Sequence, residues 1–124
     1  MQNRIAETVL LEDKARSDLD AALRTVSLAV RTAFYALQSG LGQVRALEAA
    51  ESSSQLALEA TQLGYRVGVR VNLDVLNAQT QLFTTRRDLA RARYDVLVNT
   101  LRLRQAAGQL SVADVAAVNA LLAR

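Results

Sequence analysis

Gly64-Tyr65-Arg66-Val67-Gly68-Val69-Arg70-Val71-Asn72-Leu73-Asp74-Val75-Leu76 is the one long interruption between two strongly helical segments, and its reading decides the fold. Two glycines four apart, in a chain with no proline and only five glycines, mark where the backbone leaves the helix through positive φ. Gly64 is expected as the left-handed residue just past the first helix, with Tyr65 folding back onto the last turn near Ala60. Asn72 is expected to restart a helix as its N-cap, with Asp74 at the second helical position, where a carboxylate suits the helix dipole. Val71 is positioned to staple against Leu76. A rod interrupted in this way becomes a hairpin.

Working outward, the apolar residues from about Gln2 to Leu63 keep helical period. Leu23, Val30, Leu37 and Val44 recur every seven residues, followed three residues later by Val26, Ala33, Gly40 and Leu47, which is an a/d seam. Ala22, Ala29 and Ala36 form a second row, with Phe34 and Leu41 on the other flank, so the apolar surface is wider than one partner requires. Gly40 reads either as the site of a bend or close helix contact, or as a small seam residue. The second helix, about Leu73 to Ala107, carries Val75, Leu82, Leu89, Val96 and Leu103 at strict seven-residue spacing, with small or polar residues from Ala78 to Ala106 at the d positions. Leu76, Phe83, Ala90 and Leu97 make an adjoining stripe. Gly108 is expected to end this helix. Ser111 and Asp114 make a capping-box-like start for a short helix to about Leu122.

The fold class is therefore all-α: a long antiparallel helical hairpin, or coiled coil, plus a short C-terminal helix. Residues 1–124 form a single unit, with a long helix at about 2–63, a tip at 64–72, a second helix at about 73–107 and a short one at about 111–122. Composition agrees, since 51% of the residues are hydrophobic and only 4% aromatic, which favours long helices packed closely side by side. At 1.5 Å per residue the first helix would be on the order of 90 Å long, and the shorter second helix cannot cover it. The isolated chain is expected to self-associate, or to fray before about Leu23.

Several chemistries are disfavoured at once. No run reaches the roughly 18 uncharged apolar residues of a membrane-spanning helix, and the opening residues, with Glu7, Glu12 and Asp13, do not read as a signal peptide. The absence of cysteine removes thiol chemistry, and the absence of histidine removes the commonest metal ligand and general base. Neither an enzyme, a cofactor nor a metal is expected. The formal charge of +3 invites a nucleic-acid reading. However, Arg86, Arg87, Arg91, Arg93, Arg102 and Arg104 are spread around the helix without aromatic stacking platforms, and Arg91 and Asp95 have the i,i+4 spacing of an exposed ion pair. At the tip, Val67, Val69 and Val71 alternate with Arg66 and Arg70, so the loop reads either as a partner surface or as a cap on the two-helix core.

The tip and the segment after it resemble the TolC-like family of outer-membrane efflux and secretion ducts. Members carry Gly-Tyr-x-Val-Gly-Thr-Arg-Thr-x-x-Asp-Val-Leu at the periplasmic tip of a long hairpin, which here is Gly64 to Leu76, and the run from Asn77 through Tyr94 to Ser111 is also similar. The resemblance implies the periplasmic part of a trimeric outer-membrane duct that serves multidrug efflux or type I secretion, with a barrel absent from this chain and no catalysis. Its partners would be a periplasmic adaptor and an inner-membrane pump. It further implies that Tyr65, Arg70 and Asp74 link and gate the entrance, and that Val67, Gly68 and Val69 dock the adaptor. Valine replaces the family threonine at 69 and at 71, and Asn77 stands where a second aperture aspartate is expected, which weakens the cation preference. Apart from the resemblance, Tyr65 also reads as the apolar half of a C-cap, Arg70 as a solvated charge and Asp74 as a first-turn carboxylate. A free-standing antiparallel coiled-coil scaffold is the alternative of a different class.

Overall fold

Long proline-free stretches rich in alanine and leucine let the backbone stay helical from Gln2 to Arg66 (α1), from Asn72 to Ala106 (α2) and from Val112 to Leu122 (α3). The computed structural model describes residues 1–122. With 65 residues α1 is about 98 Å long, and with 35 residues α2 is about 52 Å. The two pack against each other as an antiparallel hairpin, while α3 meets α2 but not α1. The expected all-α hairpin with a short third helix is thus borne out. The largest shift of a boundary is at the end of α1, three residues beyond Leu63.

The heptad positions identify the face that is buried. All ten a and d residues of α2, from Val75 to Ala106, are buried or half-buried, and Leu82, Leu89 and Ala92 are among the most enclosed residues of the molecule. On α1 the seam is filled from Val30 onward, through Leu37, Val44 and Leu47 to Leu58, whereas Leu23 and Val26 stay exposed. The reason is length: α2 stops at Ala106, beside Thr25 to Ala36 of α1, so earlier turns have no partner within the chain. Gly40 is a seam residue in close contact, because a Cβ there would lie 3.2 Å from Val96 Cγ2. Small d residues are what let the two backbones approach so closely.

Polar groups in and beside the seam are satisfied. The buried Thr85 donates its hydroxyl to the Gln81 carbonyl at 2.9 Å, so a polar side chain is tolerated in the apolar layer. Along one flank Arg86 donates to Glu51 (2.9 Å) and Gln55 (3.1 Å), and Arg93 donates to Glu48 (2.9 Å), tying α2 to α1 at two levels. These solvent-facing pairs contribute little stability but reinforce one register. The i,i+4 pair expected between Arg91 and Asp95 does not form; both side chains are exposed, and water solvates them as well as they would solvate each other.

Candidate functional site

Local capping builds the tip, with the two glycines in exchanged roles. Gly64 is not the left-handed terminator: it is helical, and α1 continues through Tyr65 and Arg66. The left-handed residue is Gly68, at φ 81°. Around it the Gly68 amide donates to the Tyr65 carbonyl at 3.1 Å and the Val69 amide to the Gly64 carbonyl at 2.9 Å, the paired bonds of a Schellman end. The Arg70 amide also donates to the Gly64 carbonyl, at 3.1 Å.

Gly64 is buried for a different reason. A Cβ on it would lie 2.7 Å from Arg70 Cγ and 3.5 Å from Val69 Cγ2, so the returning loop lies directly on its bare backbone. The glycine permits close approach rather than an unusual φ. Tyr65, expected beyond the helix end, lies within its last turn and is half exposed.

The start of α2 differs by one residue from the expected one. Val71, in extended conformation, is the N-cap and Asn72 the first helical residue, which puts Asp74 at the third position rather than the second. From there an Asp74 carboxylate oxygen accepts the Val71 amide at 3.3 Å, while the Asp74 amide donates to the Val71 carbonyl at 3.0 Å. Valine has no acceptor on its side chain, so the cap is carried by the carboxylate alone. The staple expected between Val71 and Leu76 is absent, as both stand more than half exposed. The shift in cap is the cause, because Arg70 now precedes the cap and Val75 is the fourth helical residue.

Of the residues singled out from sequence, Arg70 and Asp74 are brought together, with 3.9 Å between guanidinium and carboxylate. Val67, Val69 and Val71 are 65%, 74% and 61% exposed, so they do not cap the two-helix core. Exposed valines interleaved with Arg66 and Arg70 at a rigidly capped turn make an apolar knob with a basic rim, suited to packing against another protein surface. Sequence reasoning missed Gly64 as the floor under Arg70. The signal was present in a glycine set inside an otherwise helical pattern four residues before the true terminator.

A second surface is bare along the sides of the hairpin. The adjoining stripe is only partly used: Leu97 is half-buried, but Leu76 and Phe83 are 56% and 64% exposed. On α1, Phe34 and Leu41 are exposed, as are Ile5, Val9, Leu10 and Leu19 before the start of pairing. No helix among the described residues is long and apolar enough to cross a membrane.

Comparison with known proteins gives these surfaces a context. The family model for outer membrane efflux protein matches residues 2–109, which takes in α1, the tip and α2. The chain is 44% identical over 106 residues to the outer membrane protein TolC of Vibrio cholerae, covering 86% of this chain and 24% of that protein. To the outer membrane protein TolC of Escherichia coli it is 36% identical over 110 residues, covering 89% and 22%. To the alkaline protease secretion protein AprF of Pseudomonas aeruginosa it is 37% identical over 108 residues, covering 87% and 22%. The chain thus spans less than a quarter of the length of these relatives.

Proposed function

The chain belongs to the outer membrane efflux protein family, and from that premise we propose that it is the periplasmic tunnel segment of a trimeric outer-membrane duct. It acts as a conduit wall and not as an enzyme. Substrates such as drugs or secreted polypeptides pass through the duct, delivered by an inner-membrane pump through a periplasmic adaptor. The observation that carries the proposal is the excess of apolar surface: one seam of the hairpin is filled from within, while the Leu76–Phe83 stripe and the outer length of α1 are left bare. Side-by-side packing in a tunnel wall would cover both. The same surfaces would make the isolated chain self-associate.

At the tip, Tyr65, Arg70 and Asp74 hold the entrance closed through links to neighbouring coiled coils. Arginine offers a rigid donor fork, and tyrosine an apolar ring with a polar end. The approach of Arg70 to Asp74 within the chain supports this, since a guanidinium 3.9 Å from its carboxylate retains donors for a neighbour. Asp74 repeated around the trimer axis would lower the local potential and favour cations. Arg70→Ala in the full-length protein is expected to raise single-channel conductance in planar bilayers several-fold. Arg70→Met, which keeps the stem over Gly64 but removes the charge, is expected to do the same. Unchanged conductance in both would remove Arg70 from the gate.

Val67, Gly68 and Val69 form the adaptor contact. Gly68 shapes the knob through its positive φ, and the exposed valines supply its apolar surface. Val69→Asp places a charge in that contact without touching the capping bonds, and is expected to reduce adaptor-dependent export at least several-fold at normal expression. Normal export by this variant would argue against docking there.

A further inference from the structure

Asp114, the one charged residue of α3, is 14% exposed, in a helix that otherwise offers Val112, Val115, Leu121 and Leu122 to solvent. Its two carboxylate oxygens serve different elements. Oδ2 accepts the Ser111 amide and the Ser111 hydroxyl, each at 3.0 Å, which caps the start of α3. Oδ1 accepts from the Arg104 guanidinium, which projects from the last turn of α2. Between the two helices lies Gly108 at φ 71°, where the Gln109 amide donates to the Arg104 carbonyl at 2.8 Å. Arg104 is thus fixed at its carbonyl by the turn and at its guanidinium by α3.

We infer that the Arg104–Asp114 pair is a latch that sets the direction in which α3 leaves the hairpin and holds it off α1. The turn at Gly108 by itself leaves α3 free to pivot, because glycine tolerates many conformations and α3 has no packing contact with α1. One charged pair, reinforced by the cap, biases α3 toward a single direction, as the solvent-facing pairs between α1 and α2 favour one register. The consequence lies on α1, which runs on past the end of α2 with Leu19, Leu23, Val26 and Leu28 exposed. A released α3, itself apolar, would compete for this stretch with the neighbouring helices that cover it in the proposed duct. The latch uses only α2 and α3 and is independent of the duct assignment.

The test is a spin-label distance measurement in the full-length protein, with Leu28→Cys and Leu121→Cys as the only cysteines of the labelled protein and an excess of unlabelled cysteine-free protein mixed in, so that the distance within one protomer is read; both positions are exposed here. Arg104→Gln breaks the latch and leaves the Ser111–Asp114 cap intact, while Arg104→Lys keeps the charge. A single narrow distance is expected with Arg104 and with Arg104→Lys. Loss of that peak to a broad distribution is expected with Arg104→Gln, at unchanged helix content by circular dichroism. Retention of the original narrow peak by Arg104→Gln would overturn the latch and assign the placement of α3 to the Gly108 turn alone.

Discussion

Leu89→Ala is expected to lower the unfolding free energy of the chain by about 2–5 kcal/mol, a large fraction of the roughly 5–15 kcal/mol that holds a typical domain folded. Leu89 is 2% exposed and sits midway along a layer whose buried apolar members, among the described residues, are few: Leu58, Leu82, Leu89 and Ala92. A two-helix layer has no second shell of core to share a cavity, so the lost contacts are not replaced. The measure is urea denaturation followed by far-UV circular dichroism. Leu76→Ala removes the same atoms from an exposed site on the same helix and is expected to stay within about 0.5 kcal/mol of the parent under dilute conditions. Equal losses in the two variants would mean that the second stripe, not the a/d seam, holds the hairpin together.

Gly64→Val is the second large effect, with an expected cost of about 1–3 kcal/mol from overpacking. The first added carbon would fall 2.7 Å from Arg70 Cγ, and the branched methyls would reach into space held by Val69 and Arg70. Relief requires the Arg70 side chain to swing off Gly64 or the loop to lift, and lifting breaks the bonds from the Val69 and Arg70 amides to the Gly64 carbonyl. Gly42→Ala is the matched control: it has nothing within 4 Å of the new Cβ, lies in the same helix, and is expected to gain up to about 1 kcal/mol from helix propensity. Opposite signs for two glycines of one helix would separate close approach from propensity. On the proposed duct reading, Gly64→Val in the full-length protein is further expected to raise conductance, as is Arg70→Ala, since both disturb the same loop. A Gly64→Val protein of parental stability would show that the tip does not close over this residue.

Much of the molecule was legible before any coordinates, because the signals involved are short-range. Heptad spacing located the seam of α2 at all ten positions, from Val75 to Ala106, since a helix puts residues three and four apart on one face whatever surrounds it. The Gly108 terminator and the Ser111–Asp114 cap were legible for the same reason, as each is made within four residues of chain. The connection between α1 and α2 falls at 67–71, inside the expected 64–72, with the roles of Gly64 and Gly68 exchanged. Gly64 and Gly68 are equally able to adopt positive φ, and the choice between them depends on the path by which Val69 and Arg70 return over α1.

The helices, the phase of their apolar faces and the position of the turn could thus be read from local spacing, and the likeness to a family from the residues of the tip and the run after it. Which glycine ends α1, the pairing of α1 from Val30 onward, the exposure of Phe83 and Leu76 beside buried Leu82 and Leu89, and the reach of Arg104 to Asp114 across the turn emerge only from the folded arrangement. Each of these depends on where a distant segment comes to lie. Two apolar stripes on one helix have the same period, and only the limited length and fixed register of the partner helix decide which one is covered.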